Sequence, residues 1–329
     1  MTSLLDPAPR QESITMATIT EDSICILGRE CIDTDTPLLK TRAQKGNPPA
    51  EVPSISLLLK AYNLGASFPV DVLFCRQLMS GSNTKIRQHT LTIDAPSGSF
   101  LKVSKDVVVC SPEFCFLQMA VQLELPQLIM LGYEFCGMYT VPSAGNMMKR
   151  DAITTVQRIL AFVNKMPGVP GHKKAVRALC HIQNGAASPM ETRLTMLLTM
   201  PYRFGGYGLP SPELNRVIVP TKHARATTNK NHYRCDLYWP EKKLDVEYDS
   251  DAHHLGSERI AADAKRRNEL DSMGITVVVV TRELFYDTEQ FDKCVRQIAA
   301  KLGKQLRFDQ DKFFLKQKEL RKMLASCAC

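Results

Sequence analysis

Residues 233–254 read YRCDLYWPEKKLDVEYDSDAHH, and the fold of the C-terminal half turns on them. Two strand-like runs flank Trp239-Pro240-Glu241-Lys242-Lys243, a turn-forming break with Pro near its start. A four-residue turn over Pro240–Lys243 sets Asp236 directly opposite Glu247. Along the second run, Leu244, Val246 and Tyr248 alternate with Asp245, Glu247 and Asp249. A period of two puts three carboxylates on one face and three apolar groups on the other. Like charges across a strand pair repel, so such a face wants a cation or water. His253 and His254 follow at once and offer a base or ligand that titrates near neutral pH. Hard carboxylate oxygens with few thiols nearby suit Mg2+ or Mn2+ better than zinc. The plain alternative is an amphipathic hairpin whose acidic face is simply wet.

At 329 residues the chain is long enough for two domains. Its 44% hydrophobic and 23% charged content is that of a soluble globular protein. No apolar run approaches the length of a membrane span, and no basic-then-apolar leader opens the sequence. Eleven scattered cysteines, an odd number without a regular framework, fit reduced thiols in a cytoplasm. Residues 171–329 hold 27 Lys and Arg against 19 Asp and Glu, whereas the first 170 hold 15 of each. The basic excess thus belongs to the half that carries the acidic hairpin. A positive surround attracts a polyanion while the acids hold a metal, which is what phosphodiester cleavage needs.

The order of elements gives an α/β protein. Residues 1–50 are read as a flexible tail with one short ordered segment at Ser23–Leu27. Residues 51–145 are read as a small mixed α/β domain, with strands at His89–Asp94 and Val107–Cys110. Ser56–Tyr62 reads as helix or strand without preference. Ser111-Pro112-Glu113 starts a helix with a cap, a proline at its first position and an early acid. Residues 146–186 are read as a helical connector, with helices at Asp151–Asn164 and Ala175–Gln183. Ser188-x-x-Glu191 is a capping box that opens the second domain, residues 187–305. The Gly-rich run at 204–208 lacks the strand and helix that a phosphate-binding loop requires. The polar loop from Thr221 to Arg234 carries Lys222, Arg225, Lys230 and Arg234, a segment suited to gripping phosphates. Ser257–Met273 reads as a helix with Ile260, Ala261, Ala264 and Leu270 inward and Arg259, Lys265 and Arg266 outward. Ile275–Thr281 reads as a strand covered on both faces. Leu284–Leu302 contains an amphipathic helix, and residues 306–329 form a basic surface helix.

Arg234-x-Asp236, Glu247-x-Asp249, His253, Asp263-x-x-Arg266-x-x-x-Leu270-x-x-x-Gly274 and the valine strand together resemble a known pattern. It is that of the Vsr-like (very-short-patch-repair-like) endonuclease domains of the PD-(D/E)XK nuclease superfamily, matched over about Ser188–Leu302. The first half is similar to the antitoxin- or regulator-like regions that precede such domains in bacterial proteins. The resemblance implies a restriction-endonuclease-like mixed sheet flanked by helices, whose hairpin binds a divalent metal beside a DNA groove. It implies metal binding by Asp236, Glu247 and Glu191, with His253 carrying a proton to or from the reacting oxygens. Asp249 stands where the wider superfamily has a lysine, as it does across this subgroup. The function expected is Mg2+- or Mn2+-dependent cleavage of DNA, in repair or in defence against mobile DNA. Asp236, Glu247, Asp249 and His253 are the expected catalytic set. Lys222, Arg225, Lys230, Arg234, Lys265 and Arg266 are expected on the DNA backbone. The first domain is expected to serve a homodimer or a protein partner, and no membrane is expected. The alternative is a non-catalytic DNA-binding regulator, of the toxin–antitoxin or defence kind, that keeps the nuclease fold. A third reading is a structural protein whose acidic hairpin is only solvated.

Overall fold

The computed structural model describes residues 18–20, 23–25, 39–40, 70–74, 86–90, 93, 95–102, 107–141, 147–220, 225, 228, 230–249 and 257–326. It separates into two compact units, one comprising 1–135, 140–180 and 326–329, the other 136–139 and 181–325.

The first unit holds a seven-stranded mixed sheet. Its strands are β1 (Thr18–Thr20), β2 (Ser23–Cys25), β3 (Leu39–Lys40), β4 (Val70–Phe74), β5 (Ile86–Thr90), β6 (Phe100–Lys102) and β7 (Val107–Cys110). They lie in the order β3-β6-β7-β2-β1-β4-β5. Of the strands in the segment read as a tail, β2 falls in the expected ordered stretch Ser23–Leu27, whereas β1 and β3 are additional, held by pairing with β2 and β4 and with β6. β5 begins earlier than its alternation suggests, since it pairs in parallel with β4 residue by residue, Val70 with Ile86 to Phe74 with Thr90. Ser56–Tyr62 lies outside the described residues.

Helices α1 (Pro112–Gln122), α2 (Leu125–Phe135), α3 (Val156–Val163) and α4 (His172–Leu179) complete this unit. α1 starts where the sequence says: the Ser111 hydroxyl accepts the Phe114 N–H at 3.2 Å. α3 starts five residues after Asp151 because Thr155 is its cap, accepting the Arg158 N–H at 3.2 Å. Phe114 is fully buried and meets Phe100 and Phe162 with ring centroids 5.5 and 5.9 Å apart.

Two short strands, β8 (Tyr139–Thr140) and β9 (Met148–Lys149), precede the elements of the second unit. That unit contains α5 (Pro189–Thr199), β10 (Glu213–Ile218), β11 (Tyr233–Trp239), β12 (Leu244–Asp249), α6 (Ser257–Ser272) and β13 (Thr276–Thr281). It ends with α7 (Arg282–Tyr286), α8 (Thr288–Lys301) and α9 (Gln310–Ser326). The strands form one mixed sheet in the order β10-β11-β12-β13, antiparallel except for the parallel β12–β13 pair. α5 packs on β11 and β12, and α6 and α7 pack on β13. This is the mixed α/β sheet flanked by helices that the order of elements implies.

Three expectations change here. β13 is an edge strand and is only partly covered along most of its length, not buried on both faces. On α6, Ala261 and Ala264 are exposed, whereas Glu269 and Leu270 are buried. Within residues 261–272 the helix therefore docks through its last two turns. α9 is more than a surface helix, since Phe313, Gln317, Leu320 and Leu324 are buried along one stripe. No helix among the described residues is long and apolar enough to cross a membrane.

Candidate functional site

The hairpin turn is a short 3-10 segment, Pro240–Lys242, closed by Lys243 at φ 45°. It pairs Trp239 with Leu244, Tyr238 with Asp245 and Leu237 with Val246. The ladder's last pair is Leu237 with Val246, one residue short of Asp236 and Glu247. The Tyr248 N–H donates to Asp236 Oδ2 at 3.2 Å, which ties the two strands together at this level.

Asp236 is where the cluster's electrostatics concentrate. Burial, then the charge of Glu191, pushes its carboxyl up to about 7, with Glu247 adding to the rise. The Tyr248 N–H and Arg266 act against that rise. Asp236 (β11), Glu247 (β12) and Glu191 (α5) are thus close enough in the fold to repel one another.

The wet acidic face does not hold along β12. Leu244, Asp245 and Val246 are all buried, so the first half of the strand is covered on both sides. Asp245 is 0% exposed. Neither of its oxygens meets a donor in hydrogen-bonding geometry. Burial, then Glu247, drives its carboxyl up to about 8, while the Cys235 thiol pulls the other way. Burial and the same Asp245 carboxyl push the Cys235 thiol up in turn. Cys235 and Tyr238, three residues apart, join one core cluster with Tyr233, Leu270 and Ile275. Strict alternation therefore breaks at Asp236–Leu237.

The cause lies on the neighbouring strand. The β10–β11 ladder pairs Leu214 with Leu237 and Arg216 with Cys235, stepping over Asn215 and Asp236. Asn215 takes φ 51°, a left-handed backbone that Asn tolerates better than most residues. Its amide donates to Gly185 O at 2.9 Å and to Glu191 Oε2 at 2.5 Å, and its Oδ1 accepts Arg234 Nε at 2.6 Å.

Glu191 caps its own helix in a modified way. Ser188 Oγ accepts the Glu191 N–H at 3.1 Å, but the Glu191 carboxylate reaches past Ser188 to the Ala187 N–H, 2.9 Å from Oε2. The Ser188 hydroxyl is 3.0 Å from Oε1. Both carboxylate oxygens are thereby engaged within the protein.

Of the basic residues, Arg225, Lys230, Arg234 and Lys265 are exposed. Lys230 lies over the Tyr233 ring, 5.5 Å from its centroid, and its N–H bonds to Thr228 Oγ1 at 3.1 Å. The Tyr233 hydroxyl donates to Glu269 Oε2 at 2.7 Å and lies 2.6 Å from Thr228 Oγ1. These contacts anchor the described end of the basic loop to α6. Arg266 does not point away as expected: it is half-buried and bonds to Glu247 Oε1 at 2.5 Å. Asp249 is half-buried at the end of β12. Lys222 and His253 lie outside the described residues.

Asn215 and Asp245 belong to the site but were not singled out by spacing. The signal for Asn215 is its type, since Asn within a strand pattern is a candidate for φ above zero. Nothing local marks Asp245 as buried, because its neighbours alternate as they would on an open face.

Among the described residues, no group of three or more His, Cys, Asp and Glu is arranged to hold a metal ion. Asp236 and Glu247 offer carboxylate oxygens, the donor type a hard divalent cation takes, and the rise of Asp236 comes first from its burial and then from Glu191. The chain matches no protein-family model, no curated protein and no solved structure.

Proposed function

We propose that the second unit is a Mg2+- or Mn2+-dependent DNA endonuclease of the restriction-endonuclease-like, Vsr-like kind. One observation carries the reading: Asp236 of β11 is buried and feels the charges of Glu191 on α5 and Glu247 on β12, which with burial raise its carboxyl to about 7. Asp236 and Glu247 would hold the cation, and Glu191 would add its charge from behind its hydrogen bonds to Ala187, Ser188 and Asn215. A bound divalent ion would polarise the phosphodiester and acidify a water beside it. Asn215 holds Glu191 against Arg234 and so orients the acid and the base that border the hairpin. Arg225, Lys230, Arg234 and Lys265, all exposed, supply the positive surface that draws in the DNA backbone. His253 is the residue proposed to carry the proton.

A second reading has an observation behind it. Asp249 replaces the superfamily's lysine and Arg266 already bridges Glu247, an arrangement that suits DNA binding without turnover. Plasmid nicking decides between the two. The endonuclease reading expects nicking in Mg2+, none in EDTA, and none from Asp236→Asn with its fold intact. Salt-dependent DNA binding without nicking would favour the regulator. Nicking by Asp236→Asn at the wild-type rate would remove the hairpin from the chemistry.

A further inference from the structure

The helices of the first unit carry a charge distribution that the hairpin of the second does not use. Residues 152–180, which contain α3 and α4, hold five Lys and Arg and no Asp or Glu. α3 and α4 pack against each other and against α1, and α4 also packs against α2. The acids within α1 and α2, Glu113 and Glu134, are buried. Glu113 accepts the Thr154 hydroxyl at 2.5 Å and meets Arg158 at 3.3 Å. Glu134 accepts the Thr140 hydroxyl and the Val141 N–H. The exposed acids of residues 112–180 are Glu124 and Asp151. Against those two stand Lys149, Arg158, Lys165, Lys173 and Arg177, all exposed.

The segment that joins α3 to α4 gives this charge a shape. Gly168 and Gly171 take φ of 81° and 83°. A Cβ at Gly171 would stand 3.0 Å from the Leu117 carbonyl oxygen and 3.1 Å from Val121, so the main chain lies close against α1. Lys174 Nζ donates to the Leu123 carbonyl oxygen at 2.9 Å and ties α4 to the end of the same helix. Between them lies an open cleft of about 410 Å3, lined by Val121, Gly168, Val169, His172, Lys173 and Lys174. Gly168 has nothing within 4 Å of where a Cβ would be, which leaves its main chain open to close approach. Lys173 and Arg177, four residues apart, share one face of α4. A concave wall with cations and no acid attracts a polyanion. Phe162, the aromatic residue of this stretch, is buried, which leaves no ring here to seat in a bilayer interface.

We propose that the α3–α4 pair is a nucleic-acid-binding surface of the first unit's own, holding the phosphodiester backbone without reading its sequence through Lys165, Lys173 and Arg177. It needs no metal and does not depend on cleavage by the second unit.

The test is fluorescence anisotropy of a labelled DNA duplex of arbitrary sequence, titrated with the full-length protein across a salt series in EDTA. An RNA duplex of the same sequence runs beside it. Three variants are compared with wild type: Lys165→Ala/Lys173→Ala/Arg177→Ala, the charge-keeping Lys165→Arg/Lys173→Arg/Arg177→Lys, and Arg225→Ala/Lys230→Ala/Lys265→Ala in the second unit. The first is expected to lose about two to three from the log–log salt slope with an unchanged melting curve. The charge-keeping variant should retain the wild-type slope. The loss should recur when the first set is added to the third, since the two surfaces contribute separately. Dependence on the α3–α4 cations in either duplex supports the proposal and says which nucleic acid the surface takes. An unchanged slope on both duplexes, beside binding that needs Arg225, Lys230 and Lys265, overturns it and leaves the second unit's reading standing. Wild-type protein that binds neither duplex overturns both. Binding to phosphatidylserine vesicles in place of either duplex would assign the surface to a membrane and overturn the proposal.

Discussion

Asp236 and Asp245 carry the most distinctive residue-level property, carboxyls held at about 7 and about 8 rather than near 4. Between about pH 4 and those values the folded chain keeps protons that the unfolded chain has released. Stability is therefore highest at the acid end and is lost as pH rises through 7 and 8, by about 1.4 kcal/mol per pH unit for each carboxyl within its window. The metal-free protein in EDTA should melt at a lower temperature at pH 8 than at pH 5.5, and Asp245→Asn should flatten that slope. A melting temperature that climbs over this range, or a slope unchanged in Asp245→Asn, would contradict the assignment. The hairpin that carries Asp236 and Glu247 was legible in the sequence because a turn's length sets the register of its hairpin. The burial of Asp245 was not. β12 lies between β11 and β13, and its first half is covered on both sides, so period two does not report which face is dry. Asn215 escaped because a positive φ leaves no mark on alternation.

At the scale of elements, the glycines at 205 and 206 explain themselves by packing and not by phosphate. A Cβ at Gly205, which sits at φ +87°, would collide with the Lys316 backbone of α9, and one at Gly206 with the Met200 carbonyl. The run is the seat of the C-terminal helix. Phe313 stacks on Phe308 with centroids 4.0 Å apart and meets Tyr207 edge-on at 4.8 Å. Farther along α9, Arg321 lies over the Phe285 and Phe291 rings and donates Nη1 to the Phe285 carbonyl at 2.6 Å. Gly205→Ala should therefore loosen α9 and cost about 2 kcal/mol or more, from left-handed strain plus backbone displacement. Chemical denaturation with Tyr and Trp fluorescence checks this, and a loss under 0.5 kcal/mol would mean that α9 is not seated there. The N-terminal cap of α5 was legible from Ser188 and Glu191. The break between α7 and α8 was missed, although Asp287 signals it by accepting the Glu289 and Gln290 N–H groups at 3.0 Å. A continuous apolar register through Phe291, Val295, Ile298 and Leu302 hid the new start.

At the scale of the whole molecule, the unit that carries the acidic hairpin, residues 136–139 and 181–325, holds 24 Lys and Arg against 19 Asp and Glu. Arg225, Lys230 and Lys265 are exposed and clear of the carboxylate cluster's own hydrogen bonds. Replacing all three by Ala should weaken binding to DNA of any sequence and reduce the log–log salt slope by up to about three. An unchanged slope would mean that these charges face only water. The basic excess of the C-terminal part of the chain was visible in the sequence. The seven-stranded sheet was not, because its first strands are two or three residues long and take their stability from partners far along the chain. The claim on which the functional account depends is that a divalent ion sits between Asp236 and Glu247. Anomalous diffraction at the manganese edge, from crystals grown with Mn2+, tests it most directly. The account predicts a single strong peak within bonding distance of both carboxylates. A map without a peak there, with Arg266 still bonded to Glu247 at saturating Mn2+, would contradict it.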